Sequence, residues 1–163
     1  MMNAVKTNIT TRRAVSKDAA AIAALLYDAF EEHKQHYTEE AFKATTPGPD
    51  EIEERINQRA VWVCLLNDKI AGTVSVFPDG KELFVRSMAV SPAARGKGIG
   101  KILMEQVHEM AYAKGCSIIR LNTTSFLLEA IGLYEKFGFK RRGPGDLYGT
   151  EVIRMTKNLE QLQ

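Results

Sequence analysis

The sequence predicts an α/β (α+β) chain built around one mixed sheet, and three observations carry that expectation. Residues 60–90 hold three short runs rich in β-branched and aromatic side chains, separated by Asn67-Asp68 and Pro78-Asp79-Gly80, which reads as an antiparallel meander. Residues 82–114 then read as a strand, a glycine-rich turn and a long amphipathic helix, followed by a further strand at 116–123. A strand, helix and strand in that order need a crossover and parallel pairing. Finally, apolar residues recur at helical spacing on both sides of this core, at Ile22, Leu25, Leu26, Ala29 and Phe30 and again at Ala130, Leu133, Tyr134 and Phe137.

Composition narrows the class. The 163 residues suit a single domain with a sizeable core, and 45% hydrophobic and 26% charged residues are ordinary for a globular protein. A net charge of +2 gives no general argument for nucleic acid, and the short runs Arg12-Arg13 and Lys140-Arg141-Arg142 lack interleaved aromatics, so no nucleic-acid partner is expected. The longest apolar run, residues 19–26, is too short for a bilayer, and no signal-peptide pattern precedes it, so no membrane partner is expected. Two cysteines, Cys64 and Cys116, make no disulfide framework, which points to a reducing, cytoplasmic location.

Taken in order, residues 8–15 read as a first strand. Ser16 is the expected N-cap of the helix that ends near Phe30, with Asp18 in its first turn. Residues 31–46 loosen into a solvated helical face; their glutamates could attract a cationic amine, and His33, His36 and Tyr37 could touch a substrate. His33 and His36 lie one turn apart without a strong third ligand, so no metal is expected. Pro47-Gly48-Pro49 ends this stretch, and Asp50 with Glu53 has capping-box spacing for a short helix to about Gln58. The meander occupies 60–66, 70–77 and 82–90, and Cys64 within it reads as a small buried hydrophobe. The helix after the glycine turn buries Ile99, Ile102, Leu103, Val107 and Met110 and is capped by Gly115. A last helix stops at Gly138, with strands at 139–142 and 151–157 to finish.

The glycine turn, Arg95-Gly96-Lys97-Gly98-Ile99-Gly100-Lys101, has the chemistry of an anion cradle. Glycines let consecutive backbone N–H groups approach a phosphate, and the helix they open adds its positive dipole end. A Walker A loop would need glycine at 95 and Ser or Thr at 102, where Arg95 and Ile102 stand; a dinucleotide fingerprint would need glycine at Leu103. What remains is Arg-x-x-Gly-x-Gly after a strand ending Met88-Ala89-Val90, which resembles the pyrophosphate-binding motif of the GNAT superfamily of acyl-CoA-dependent N-acetyltransferases. A second stretch about thirty residues on, A-x-x-L-Y-E-K-x-G-F from Ala130 to Phe139, looks like the fourth-helix motif of the same superfamily.

That resemblance covers residues 9–157. It implies a mixed, mostly antiparallel twisted sheet of six to seven strands flanked by about four helices, with residues 1–163 as a single N-acetyltransferase domain. It implies acetyl-CoA as co-substrate, a small-molecule or peptide amine as acceptor, and the homodimers common in the family. The pyrophosphate would lie on Arg95, Gly96, Lys97, Gly98, Ile99, Gly100 and Lys101, with the pantetheine pairing like another strand against Met88, Ala89 and Val90. Members often carry an asparagine three residues before the motif alanine; here Leu127 stands there, and Asn122 is the polar group on offer instead.

Acetyl transfer then asks for an oxyanion donor, typically contributing about 3–4 kcal/mol, and for proton handling. Tyr134 is the expected general acid to the leaving thiolate, within a helix that otherwise reads as core beside Leu133 and Phe137. An alkylammonium with pKa near 10.4 must lose its proton, a deficit of about 4–5 kcal/mol at pH 7, which calls for a base or a water chain. Glu82, the carboxylate of the central strand, is the expected base, with His36, Tyr37 and Tyr148 as weaker candidates. The other reading of the same motifs is a non-catalytic acyl-CoA sensor, against which Tyr134 argues. The stretches 30–46 and 143–150 are expected to shape the acceptor cleft.

Overall fold

The computed structural model describes residues 7–160. Its strands are β1 (Ile9–Arg13), β2 (Val61–Leu66), β3 (Lys69–Asp79), β4 (Glu82–Val90), β5 (Ile118–Thr123), β6 (Lys140–Leu147) and β7 (Thr150–Asn158). They form one seven-stranded sheet in the order β1-β2-β3-β4-β5-β7-β6, antiparallel throughout except for the β4–β5 pair. Among the described residues, five α-helices flank it: α1 (Ala19–Phe30), α2 (Glu39–Thr45), α3 (Pro49–Asn57), α4 (Ile99–Ala113) and α5 (Leu128–Lys136). No helix among the described residues is long and apolar enough to cross a membrane.

Two hydrophobic clusters sit on the two faces of the sheet. On one, Leu103, Met104 and Val107 of α4 and Tyr134 of α5 pack over Leu83, Val85, Ile119 and Met155. On the other, Ile22 and Leu26 of α1 and Ile52 of α3 pack over Val61 and Val63. The close seat of α4 depends on Gly72 in β3, where a Cβ would lie 2.7 Å from Ile99 Cγ2 and 3.0 Å from Leu103 Cδ1.

β4 carries the irregularity that shapes the site. Its register against β3 slips between Thr73 and Ser75, which pair with Ala89 and Arg86, so Ser87 is an extra residue and adopts φ +52°. Strict alternation would put Leu83, Val85, Ser87 and Ala89 on one face. The bulge instead returns Met88 and Val90 to the α4 cluster and sends Ala89 to the α1 cluster.

Several local expectations are corrected. Ser16 opens a short 3-10 turn rather than capping α1; Asp18 stands at the N-cap of α1, where its carboxylate accepts the Val15 N–H at 2.8 Å and binds Arg12 at 2.7 Å rather than capping a helix N–H. Asp50 and Glu53 form no capping box, because Pro49 already occupies the first helical position and Gly48 is the N-cap. β3 runs through Pro78 to Asp79; β2 ends opposite Ser75, so this proline lies where the strand has a free edge. β6 extends to Leu147 through Gly143, Pro144 and Gly145, which read as loop residues but are tolerated on the outermost strand. It closes on β7 through Tyr148 and Gly149, both at positive φ as a two-residue hairpin requires.

Candidate active site

The β4–β5 ladder ends at Val85 opposite Leu121, yet β4 continues to Val90 and β5 to Thr123. The strands part there, and a cleft of about 720 Å³ passes between them. Met88, Ala89 and Val90 line it from β4 and Asn122 from β5, together with Tyr134 of α5 and Arg95, Gly96 and Gly98 of the glycine turn. Parted strands leave backbone N–H and C=O groups without ladder partners on the cleft side, the feature an extended ligand arm can use.

At the turn, Gly96 and Gly98 adopt φ +81° and +80°, a region that strains any other residue, and nothing lies within 4 Å of where their side chains would project. Gly98 is the N-cap of the fifteen-residue α4, accepting the Ile102 N–H at 3.1 Å, so the N–H groups of Ile99, Gly100 and Lys101 have no intrahelical acceptor. A Cβ at Gly100 would stand 3.1 Å from Leu133 Cδ2, which fixes α5 against the turn. These features fit the diphosphate of a coenzyme A molecule. The charges are arranged less simply than the sequence implies. Arg95 lines the cleft, but its guanidinium binds Glu32 at 2.7 Å and the Ala29 carbonyl at 3.2 Å, tying the turn to the end of α1. Lys101 lies 3.8 Å from Glu105, and Lys97 is exposed on the turn outside the cleft lining.

Tyr134 is 6% exposed and lines the cleft, its ring tilted against that of Phe139 at a centroid distance of 5.9 Å. Burial alone pushes its phenol up to about 12, so it keeps its proton at any ordinary pH. Glu82 is not brought to the cleft. It begins β4, roughly 20 Å along the strand from Met88, and binds Arg120 at 2.9 Å. Strand membership said nothing about which end of β4 carries chemistry, and the expectation of Glu82 as base has no geometry behind it. Tyr148 is 61% exposed at the β6–β7 hairpin, outside the cleft lining.

Other residues complete the walls. Phe126 gathers His33, His36 and Tyr37 around its ring at centroid distances of 5.3, 5.0 and 5.0 Å. His33, Tyr37 and Phe126 line the main cleft, whereas His36 lines a neighbouring pocket of about 410 Å³ beside Thr38 and Glu151. The Tyr37 phenol is raised by burial and drawn back only in part by the nearby Thr124 hydroxyl. Thr38 anchors this connector: its hydroxyl donates to the Tyr148 carbonyl at 2.7 Å, and its N–H donates to Thr150 Oγ1 at 2.9 Å. Thr123 and Thr124 line the cleft with buried hydroxyls that have no hydrogen-bond partner, an expense a bound ligand can relieve. Leu127 is apolar cleft lining at the N-cap of α5, so these two threonines, missed in the sequence, offer polar contact near the place where an asparagine is usual.

Residues 20–139 match the model of the acetyltransferase (GNAT) family. The uncharacterized N-acetyltransferase YjgM of Escherichia coli (strain K12) is 33% identical over 150 residues, 86% of this chain and 87% of that protein. The IAA acetyltransferase of Azospirillum brasilense is 36% identical over 84 residues; the match takes in 52% of this chain and spans little more than half, 55%, of that protein's length. In structure, PaiA N-acetyltransferase from Thermoplasma acidophilum in complex with coenzyme A shares the fold at a TM-score of 0.79, with 17% identity, over 93% of this chain and 99% of that one. With a match over most of its length to both a family model and a relative, and with the parted β4 and β5 strands beside a glycine turn, the chain belongs to the acetyltransferase (GNAT) family.

Proposed function

We propose that the protein, as one N-acetyltransferase domain, moves an acetyl group from acetyl-CoA to a primary amine by direct attack, without an acetyl-enzyme. The observation that carries this reading is the junction of three features in one cleft: open glycine N–H groups at the head of α4, strand backbone at Met88–Val90 left unpaired on its β5 side, and Tyr134 in the lining. The family membership and a structural relative in complex with coenzyme A support it. Both cysteines are free and buried, in keeping with a reducing compartment such as the cytoplasm.

The turn holds the diphosphate, and the end of β4 pairs with the pantetheine arm, placing the thioester near Tyr134. A backbone N–H at the bulge polarises the carbonyl. The amine nitrogen bonds to the carbonyl carbon, the C–S bond breaks, the nitrogen gives up a proton, and the sulfur receives one. Tyr134 is the proton donor to sulfur. Its phenol at about 12 is a weaker acid than a thiol near 8.5, an uphill step of about 5 kcal/mol if taken alone, so its proton moves in concert with C–S cleavage. With Glu82 remote, His33 is the imidazole in the cleft and takes the amine proton, directly or through water.

The test is CoA release from acetyl-CoA across pooled amines, comparing wild type with Tyr134→Phe. Turnover that falls at least about tenfold, a change of about 1.4 kcal/mol, with acetyl-CoA affinity retained, is the expected result. Acetyl-CoA binding with no turnover across broad pools would move the weight to a non-catalytic acyl-CoA sensor.

A further inference from the structure

The cleft's free charge is concentrated at the β4 bulge, away from the glycine turn. Arg86 is exposed, lines the cleft, and has no hydrogen-bond or ion-pair partner among the described residues. Its guanidinium lies 5.9 Å from the Phe77 ring, and that of Arg55 lies 5.7 Å from the same ring. Arg55 is 4% exposed and holds the bulge through Nη1, donating to Ser87 at 2.9 Å and Ser75 at 3.3 Å. Its Nη2 is buried with no hydrogen-bond partner, and Glu51 is a distant ion-pair partner at 3.6 Å. Burial and then repulsion from Arg86 weaken its hold on its proton, with Glu51 opposing. Two crowded guanidiniums with unused donors, one of them deep in the protein, are stabilised by an anion arriving between or beside them.

The surroundings reinforce this. On β5 and β7, the exposed Arg120 and Arg154 extend the positive field from Arg86, Arg154 standing opposite Asn122 of the cleft wall. Glu82 neutralises Arg120 alone. The acidic stretch that the sequence offered as an attractor of cations does not serve that end. Glu32 is bound to Arg95, Glu39 lies 3.5 Å from Lys43, and Glu31, Glu39 and Glu40 are not in the cleft lining. Glu129, the remaining carboxylate of the lining, belongs to the first turn of α5 on the wall shared with Leu133 and Tyr134.

Building on the acetyltransferase reading, we propose that the acceptor is an amine that carries a carboxylate, and that Arg86 binds this carboxylate at the bulge while Arg55 fixes the bulge from behind. The planar fork of Arg86 suits two parallel N–H···O bonds to a carboxylate, which a lysine cannot reproduce. A free amino acid and a peptide with an acidic first residue share this chemistry.

The test uses the full chain saturated with acetyl-CoA and matched acceptors: glycine and glycinamide, β-alanine and its amide, aspartate and its diamide, and C-terminally amidated peptides beginning in aspartate or asparagine. The expected result is kcat/KM at least tenfold higher for the acid of a matched pair, with the free or peptide member of the set identifying the source. Arg86→Gln is expected to bring that ratio near one through KM, and Arg86→Lys to restore it only in part. Raising salt is expected to erode the acid preference in wild type and not in Arg86→Gln. Equal use of acids and amides by wild type, an acid preference that survives in Arg86→Gln, or turnover with neither class while acetyl-CoA still binds by calorimetry, would each overturn the proposal. Absence of acetyl-CoA binding would instead overturn the acetyltransferase reading beneath it.

Discussion

At the end of the cleft proposed for the coenzyme, the wall is backbone supplied by one continuous stretch, from Met88 through the positive-φ glycines to the first turn of α4. At the other end, the wall is made of side chains from separate segments: His33 and Tyr37 before α2, Arg86 at the bulge, Phe126 after β5, and Val152 of β7. A site made from backbone constrains residue type at fixed spacing, because only glycine takes φ near +80° cheaply and admits a ligand so close. A site made from side chains far apart in sequence imposes no spacing at all. The first therefore leaves a motif, and the second leaves only a composition. The same difference separates their mechanical support: α4 rests on the buried core, whereas the acceptor wall is held by polar ties around Thr38, the Glu32–Arg95 ion pair and the packing of Phe126 on His33, His36 and Tyr37.

The comparison can be broken most severely from beneath α4. Leu103 is fully buried and lies over Gly72, so Leu103→Ala leaves a cavity under the glycine turn and is expected to cost about 2–5 kcal/mol, read as a lowered denaturant midpoint. The loss should appear together with weaker acetyl-CoA binding, since the turn is carried on that helix. An unfolding free energy within about 0.5 kcal/mol of wild type would show that α4 is not seated as described.

A smaller effect is expected at the other end. Thr38→Ala removes the bond to the Tyr148 carbonyl and the cap on the Ala41 N–H, at about 1 kcal/mol of stability. The connector bearing His33 and Tyr37 loosens with it. KM for the amine should rise several-fold while acetyl-CoA affinity stays within about twofold. Equal losses for both ligands would mean that the two ends of the cleft are not built independently.

What the sequence made legible follows the same division. The antiparallel meander, the parallel crossover, the glycine turn and the α5 helix could be read, because hydrophobic period and glycine placement are local signals, whereas the pairing of β1 with β2 could not. The bulge at Ser87 could not, since an inserted residue in Glu-Leu-Phe-Val-Arg-Ser-Met-Ala-Val leaves every residue strand-like and changes only the face each one takes. The distance of Glu82 from the cleft was not legible for a related reason: alternation identifies a strand but not the end at which its neighbour departs. β6 was read short, because Gly143, Pro144 and Gly145 break central strands and only the sheet order reveals an edge. Arg55 reads as one more charge on a polar helix. Its burial depends on Ser75, Phe77 and Ser87, which lie 20 or more residues away in sequence.

The central claim is that the turn from Arg95 to Lys101 holds the coenzyme through open backbone N–H groups. Calorimetric titration of acetyl-CoA into wild type and Gly98→Val tests it most directly, with thermal unfolding followed in parallel. Valine at φ +80° strains the turn and projects a side chain into the space where a Cβ now meets nothing within 4 Å. The expected result is micromolar binding by wild type, weakened about a hundredfold in a Gly98→Val protein that still unfolds cooperatively. No binding by wild type, or equal binding by the folded variant, would contradict the claim.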